Sequence, residues 1–77
     1  MANKNLIGQN IRLARSTADP KITQDRLATQ LEVLGCPMSR AVISKIENGD
    51  RRISDIEIVA FAKALNVNVE WLFEDFV

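Results

Sequence analysis

One pattern recurs four times along these 77 residues: a polar residue able to cap a helix, preceded by an apolar residue and followed four positions later by another. Thr23 stands between Ile22 and Leu27, Ser39 between Met38 and Ile43, Ser54 between Ile53 and Ile58, and Asn68 between Val67 and Leu72. Each combines an N-cap, whose side-chain oxygen takes a free N–H of the first turn, with an apolar pair that staples the entering chain to the helix. Glu57 completes a capping box with Ser54, and Asp25 and Glu70 place negative charge where the helix dipole favours it. An earlier helix, beginning near Asn3 or Asn5, carries the stripe Ile7, Ile11, Ala14, Ala18 and stops before Asp19-Pro20-Lys21. The expectation is an all-α chain of five helices, near 5–18, 24–34, 40–48, 55–65 and 69–75. Strands are not expected, because the connections are too short for a crossover and alternations such as Val67-Asn68-Val69 are explained by the cap they contain.

A chain of this length makes one domain, 1–77, and buries only about 60% of the surface it exposes when unfolded. The expected core is Ile7, Ile11, Ala14, Leu27, Leu31, Leu34, Ile43, Ile46, Ile58, Phe61, Ala62, Leu65 and Leu72. No apolar run approaches the roughly 20 residues that span a bilayer, and no signal-peptide pattern is present, so no membrane partner is expected. The lone Cys36 forms no internal disulfide, which fits a reducing cytoplasm, and it reads as a small apolar loop residue rather than a redox sensor. With no histidine, neither a metal site nor a histidine-based triad is expected, and no cofactor is implied.

The formal charge of zero hides a gradient. Residues 1–52 hold nine Lys/Arg against five acids, a net of +4, whereas residues 53–77 hold Lys63 against five acids, a net of −4. Such asymmetry suits one pole that faces an anion and one turned away, although solvated charge faces produce milder versions by chance.

The segment Ser39–Gly49 gives that pole a shape. At about 100° per residue, Ile43 and Ile46 fall on one side with Val42 beside them, and Arg40, Ala41, Ser44, Lys45 and Asn48 fall on the other. The second side is a small polar and basic surface of the size that enters a DNA major groove, and Gly49 is placed to close the helix in a left-handed turn. Asn48, Arg51 and Arg52, in and after that stop, are candidates for holding backbone phosphate; Asn48 serving only the turn is the plainer alternative.

Taken together, Ile22-Thr-Gln-Asp-Arg-Leu-Ala28 and Ser39-Arg-Ala-Val-Ile-Ser-Lys-Ile-Glu-Asn-Gly49 resemble the helix-turn-helix family of phage repressor and Cro proteins. The stretch Ile53–Leu65, followed by Val67–Leu72, is similar to that family's fourth and fifth helices. One departure is the run Leu31–Ser39, several residues longer than the family's tight turn, which extends the second helix and inserts a loop before the third. The resemblance implies a compact repressor-like domain whose third helix lies in the major groove of a double-stranded DNA operator. It implies base reading by Arg40, Ala41, Ser44 and Lys45, with the Arg40 fork suited to guanine and Ala41 to a thymine methyl. It also gives Gln24 a phosphate contact at the start of the second helix, and pairs Glu47 with Arg15 of the first helix to orient the reading helix.

Trp71, Phe73, Phe76 and Val77 concentrate apolar area at the C-terminal end, and either form a homodimer contact or, in the case of Trp71 and Phe73, cap the core of their own chain. The leading expectation is a cytoplasmic, dimeric, sequence-specific transcription regulator. An antitoxin or adaptor that uses the same fold to grip a protein is the second. An enzyme is not expected, because Ser44 and Lys45 sit on an exposed helix face without a pocket or an oxyanion site.

Overall fold

The computed structural model describes residues 3–75 and measures 31 × 22 × 19 Å. Its elements run α1 (Gly8–Thr17), α2 (Gln24–Val33), α3 (Arg40–Glu47), α4 (Asp55–Leu65) and α5 (Val69–Leu72), and no strand occurs among the described residues. α1 packs on α3, α4 and α5, while α2 packs on α3 and α4, so α3 is gripped from both sides by α1 and α2.

Local chemistry sets the helix starts. Thr23 accepts the Arg26 N–H, Ser39 the Val42 N–H, and Ser54 the Glu57 N–H while Glu57 accepts the Ser54 N–H in return, at 2.9 to 3.2 Å. Asn68 departs from the pattern and makes no side-chain capping bond; α5 is a single turn, shorter than the expected 69–75. α1 begins at Gly8 rather than near residue 5. Asn5 explains the difference: its side-chain oxygen accepts the N–H groups of Ile7 and Gly8 at 3.0 and 2.6 Å. Its amide nitrogen also donates to the carbonyls of Ile46 and Arg51 at 3.0 and 2.9 Å. Residues 5–7 are thereby held as a bend against α3, and helical bonding starts only beyond it.

Three helices stop in the same way. Gly35, Gly49 and Asn66 adopt positive φ after α2, α3 and α4, and the next residue's N–H, from Cys36, Asp50 or Val67, returns to the carbonyl of Leu31, Lys45 or Ala62. This double closure satisfies carbonyls that the helix end leaves free. It also corrects the expected core at Leu34, which is 41% exposed because the stop at Gly35 swings it off the apolar stripe.

The core comprises Ile7, Ile11, Ala14, Leu27, Leu31, Ile43, Ile46, Ala60, Phe61, Ala62, Leu65 and Leu72. Ile58 packs at its rim rather than inside it, and the inserted loop is tied down through Cys36 and Met38, which pack on the same cluster. Each large apolar side chain so buried contributes about 1.5 to 3 kcal/mol, and Ile43 and Ile46, both fully buried, fasten α3 to the body. No helix among the described residues is long and apolar enough to cross a membrane.

Candidate nucleic-acid interface

With Ile43 and Ile46 fully buried, the opposite side of α3 is turned outward. Arg40, Ala41, Lys45 and Asn48 are exposed and Ser44 is half-buried. The Lys45 side chain has no hydrogen-bond or ion-pair partner among the described residues. Arg40 stays 67% exposed, its Nη1 3.6 Å from an oxygen of Asp25 in the first turn of α2. The ridge that sequence reasoning placed on one face is therefore on one face, accessible, and flanked by the N-terminus of α2.

The C-terminal end of α3 is built around the opposite burial. Glu47 is 2% exposed, the one charged residue buried in the described chain. Arg15 grips it with a fork, Nε to Oε2 at 2.8 Å and Nη2 to Oε1 at 3.0 Å, while its remaining Nη1 donates to the Ile22 carbonyl. Gln24 Nε2 donates to Oε1 at 3.0 Å, and Arg12 Nε approaches the same oxygen at 3.4 Å. Burial pushes the Glu47 carboxyl up, but the hydrogen bonds and charges of Arg15, Gln24 and Arg12 together outweigh it and hold the group below its ordinary value near 4.5. The Glu47 hydrogen bond in turn raises the Arg15 guanidinium against the opposing effect of burial. The carboxylate thus ties α1, the start of α2 and the end of α3 into one charged joint.

Two helix contacts fix where that joint sits. Gly8 lies so close to α3 that a Cβ there would collide with the Ile46 carbonyl oxygen, and Asn5 bonds that same oxygen. Lys4 N–H donates to the Gly49 carbonyl at 2.9 Å, so the chain before α1 clasps the turn that ends α3.

The other expected contacts fall out unevenly. Gln24 is half-buried with one amide hydrogen committed to Glu47, although the backbone N–H groups of Gln24 and Asp25 at the head of α2 have no partner among the described residues. The Asn48 oxygen accepts from Arg12 Nη2 at 2.6 Å, which leaves its amide N–H groups to face outward. Arg51 turns away, forking onto Glu57 with two bonds of 3.1 Å; the bond from Arg51 holds the Glu57 carboxyl below its ordinary range despite partial burial. Arg52 is exposed, and its side chain makes no hydrogen bond or ion pair with the described residues.

Arg12 escaped the sequence reading. Its signal was the i, i+3 spacing to Arg15, which puts both guanidinium groups on one face of α1. Trp71 is partly buried against the core, Phe73 is 48% exposed, and Phe76 and Val77 lie outside the described residues. Apolar surface is also open at Leu6 and Val33, and at Ile56 and Val59 on α4 and Val69 on α5, the last three 73, 44 and 37% exposed.

Comparison with known proteins settles the class of this geometry. A helix-turn-helix family profile matches residues 19–72, from the approach to α2 through the end of α5. The chain belongs to that helix-turn-helix family. Its structure is similar to the crystal structure of the restriction-modification controller protein C.AhdI from Aeromonas hydrophila, with a TM-score of 0.73 and 27% identity. The match covers 87% of this chain and 91% of that one. No curated protein sequence matches. With this family and an exposed, basic second helix of the motif, the protein is a DNA-binding transcription regulator.

Proposed function

We propose that α3 enters the major groove of a short operator, with Arg40, Ala41, Ser44 and Lys45 at base edges, and that two copies bind together. The observation that carries the reading is the split of α3: Ile43 and Ile46 fully buried, Arg40, Ala41 and Lys45 exposed. A helix anchored by one side presents the other at a fixed angle, which base reading requires. Phosphate contacts on the two flanks fall to the head of α2 at Gln24 and, beyond α3, to the Asn48 amide and Arg52. Arg51 contributes to that flank only by releasing Glu57.

The homodimer is supported by the exposed Ile56, Val59 and Val69, apolar surface on α4 and α5; Phe73 adds area at the end of α5. A two-fold pair on B-DNA places its reading helices about 34 to 36 Å apart. Control of a restriction-modification system, the role of the similar protein C.AhdI, is the narrower form of this reading.

Selection of bound sites from random duplex DNA tests it. The expected result is an enriched palindromic site, with affinity that falls steeply as salt rises. No enrichment at low salt, or binding indifferent to salt, would transfer the argument to a protein-interaction role.

A further inference from the structure

We propose that Asp25 is a specificity-determining residue: its carboxylate positions the Arg40 guanidinium for a base edge and opposes phosphate at the same spot. The inference rests on the operator-binding reading above and assigns a role to a residue that reading does not use.

Asp25 and Arg40 come from the first turns of two different helices and meet in the open groove that Gln24, Arg12 and Glu47 also line. Two carboxylates belong to this groove. Glu47 is buried and surrounded by donors from Arg15, Gln24 and Arg12, so its charge is spent inside the protein. Asp25 is 74% exposed, and its carboxylate makes one contact with another helix, to Arg40 at 3.6 Å. It stands at the head of α2, where free N–H groups and the positive dipole end otherwise attract phosphate.

An acid there is at odds with maximal affinity for DNA. Stabilisation of the α2 dipole is one reason for an acid in a first turn, and it acts on folding alone. The placement against Arg40 does something further. An unpaired arginine at the rim of a groove can satisfy itself on any phosphate, which strengthens binding without reading sequence. With Nη1 drawn toward the Asp25 carboxylate at 3.6 Å, the Arg40 head keeps Nε and Nη2 for an acceptor pair such as guanine O6 and N7. The same negative charge repels a phosphate that approaches the Arg40 guanidinium, while the backbone N–H groups at Gln24 stay open to the flanking phosphate. Asp25 thus weakens sequence-independent binding and narrows what Arg40 can accept.

The test measures binding to the selected operator, to operators altered at single base pairs, and to unrelated duplex. Five proteins are compared: wild type, Asp25→Asn, Asp25→Glu, Arg40→Ala and the Asp25→Asn/Arg40→Ala double variant. Thermal unfolding of each confirms the fold. Asp25→Asn is expected to tighten binding to unrelated duplex and to lower discrimination at the Arg40-read base, each by about two- to fivefold, the range of an exposed ion pair. Asp25→Glu restores both. In the Arg40→Ala background, Asp25→Asn no longer changes discrimination at that base. Wild-type discrimination retained in Asp25→Asn, or an equal change on operator and unrelated duplex, overturns the proposal while the operator reading stands. A wild-type protein that enriches no sequence overturns the operator reading and this inference with it.

Discussion

The two ends of α3 each join a carboxylate to a guanidinium, and they treat that pair in opposite ways. At the C-terminal end, Arg15 clasps a Glu47 that is 2% exposed, with bonds of 2.8 and 3.0 Å. At the N-terminal end, Arg40 and Asp25 approach only to 3.6 Å and remain 67 and 74% exposed. A buried pair is costly to break because the abandoned charge has no water to turn to, whereas an exposed pair contributes about 0 to 1 kcal/mol. The first therefore fixes a helix in place, and the second can be exchanged for a ligand. A helix that must be rigid at its root and available at its tip uses the same chemistry for both by changing the burial.

The largest effect expected from this contrast is on stability. Arg15→Ala should cost about 3 to 5 kcal/mol in urea unfolding, reduced toward the lower figure by the remaining Arg12 and Gln24 contacts, while Arg40→Ala should cost less than about 0.5 kcal/mol. Equal costs would erase the distinction. Acid reads the same joint: because the folded Glu47 and Glu57 carboxyls lie below their ordinary value near 4.5, their contribution is complete above that pH. It is lost as pH falls through the lowered folded values. Glu47→Gln should flatten this acid limb more than Glu57→Gln in unfolding curves taken across pH 2 to about 6.

On operator DNA the order reverses. Arg40→Ala should weaken binding by about 10- to 100-fold with circular dichroism unchanged, the range of one lost bidentate base contact. The smallest effect concerns what holds the exposed end still. Ser39 caps α3 through the Val42 N–H, so Ser39→Ala should cost about 1 kcal/mol in thermal unfolding, more than the loss of Arg40. A cost near zero would move that job to the Arg40–Asp25 pair.

Much of this was legible because it is local. A cap needs one side chain and a backbone N–H three residues on, so Thr23, Ser39 and Ser54 announced the starts of α2, α3 and α4 in the sequence. Asn68 carried the same signal without the bond. The apolar period of α3 fixed its buried side, since Ile43 and Ile46 are related by three residues. What distance along the chain concealed is the convergence on Glu47. Arg15 came only through a family resemblance, and the arrival of Arg12 and Gln24 depends on how α1 and α2 cross α3, which no spacing encodes. Asn5 was read as a helix start, but α1 begins at Gly8, and the reach of Asn5 to Ile46 and Arg51, more than forty residues away, was not legible. Leu34 failed for the converse reason, because a single left-handed glycine ends the helix one residue too soon for the period to continue.

The hydrogen atom that serves as the Gly8 side chain has a consequence for evolution of the binding site. Because backbone meets backbone there, against the Ile46 carbonyl, the placement of α3 is set by a buried position on α1, outside the exposed ridge. One added methyl would act as a wedge at the hinge end of a lever and tilt the distant tip of α3; on the operator reading proposed above, preference for a site could then drift by changes in α1 while every side chain facing the groove stays the same.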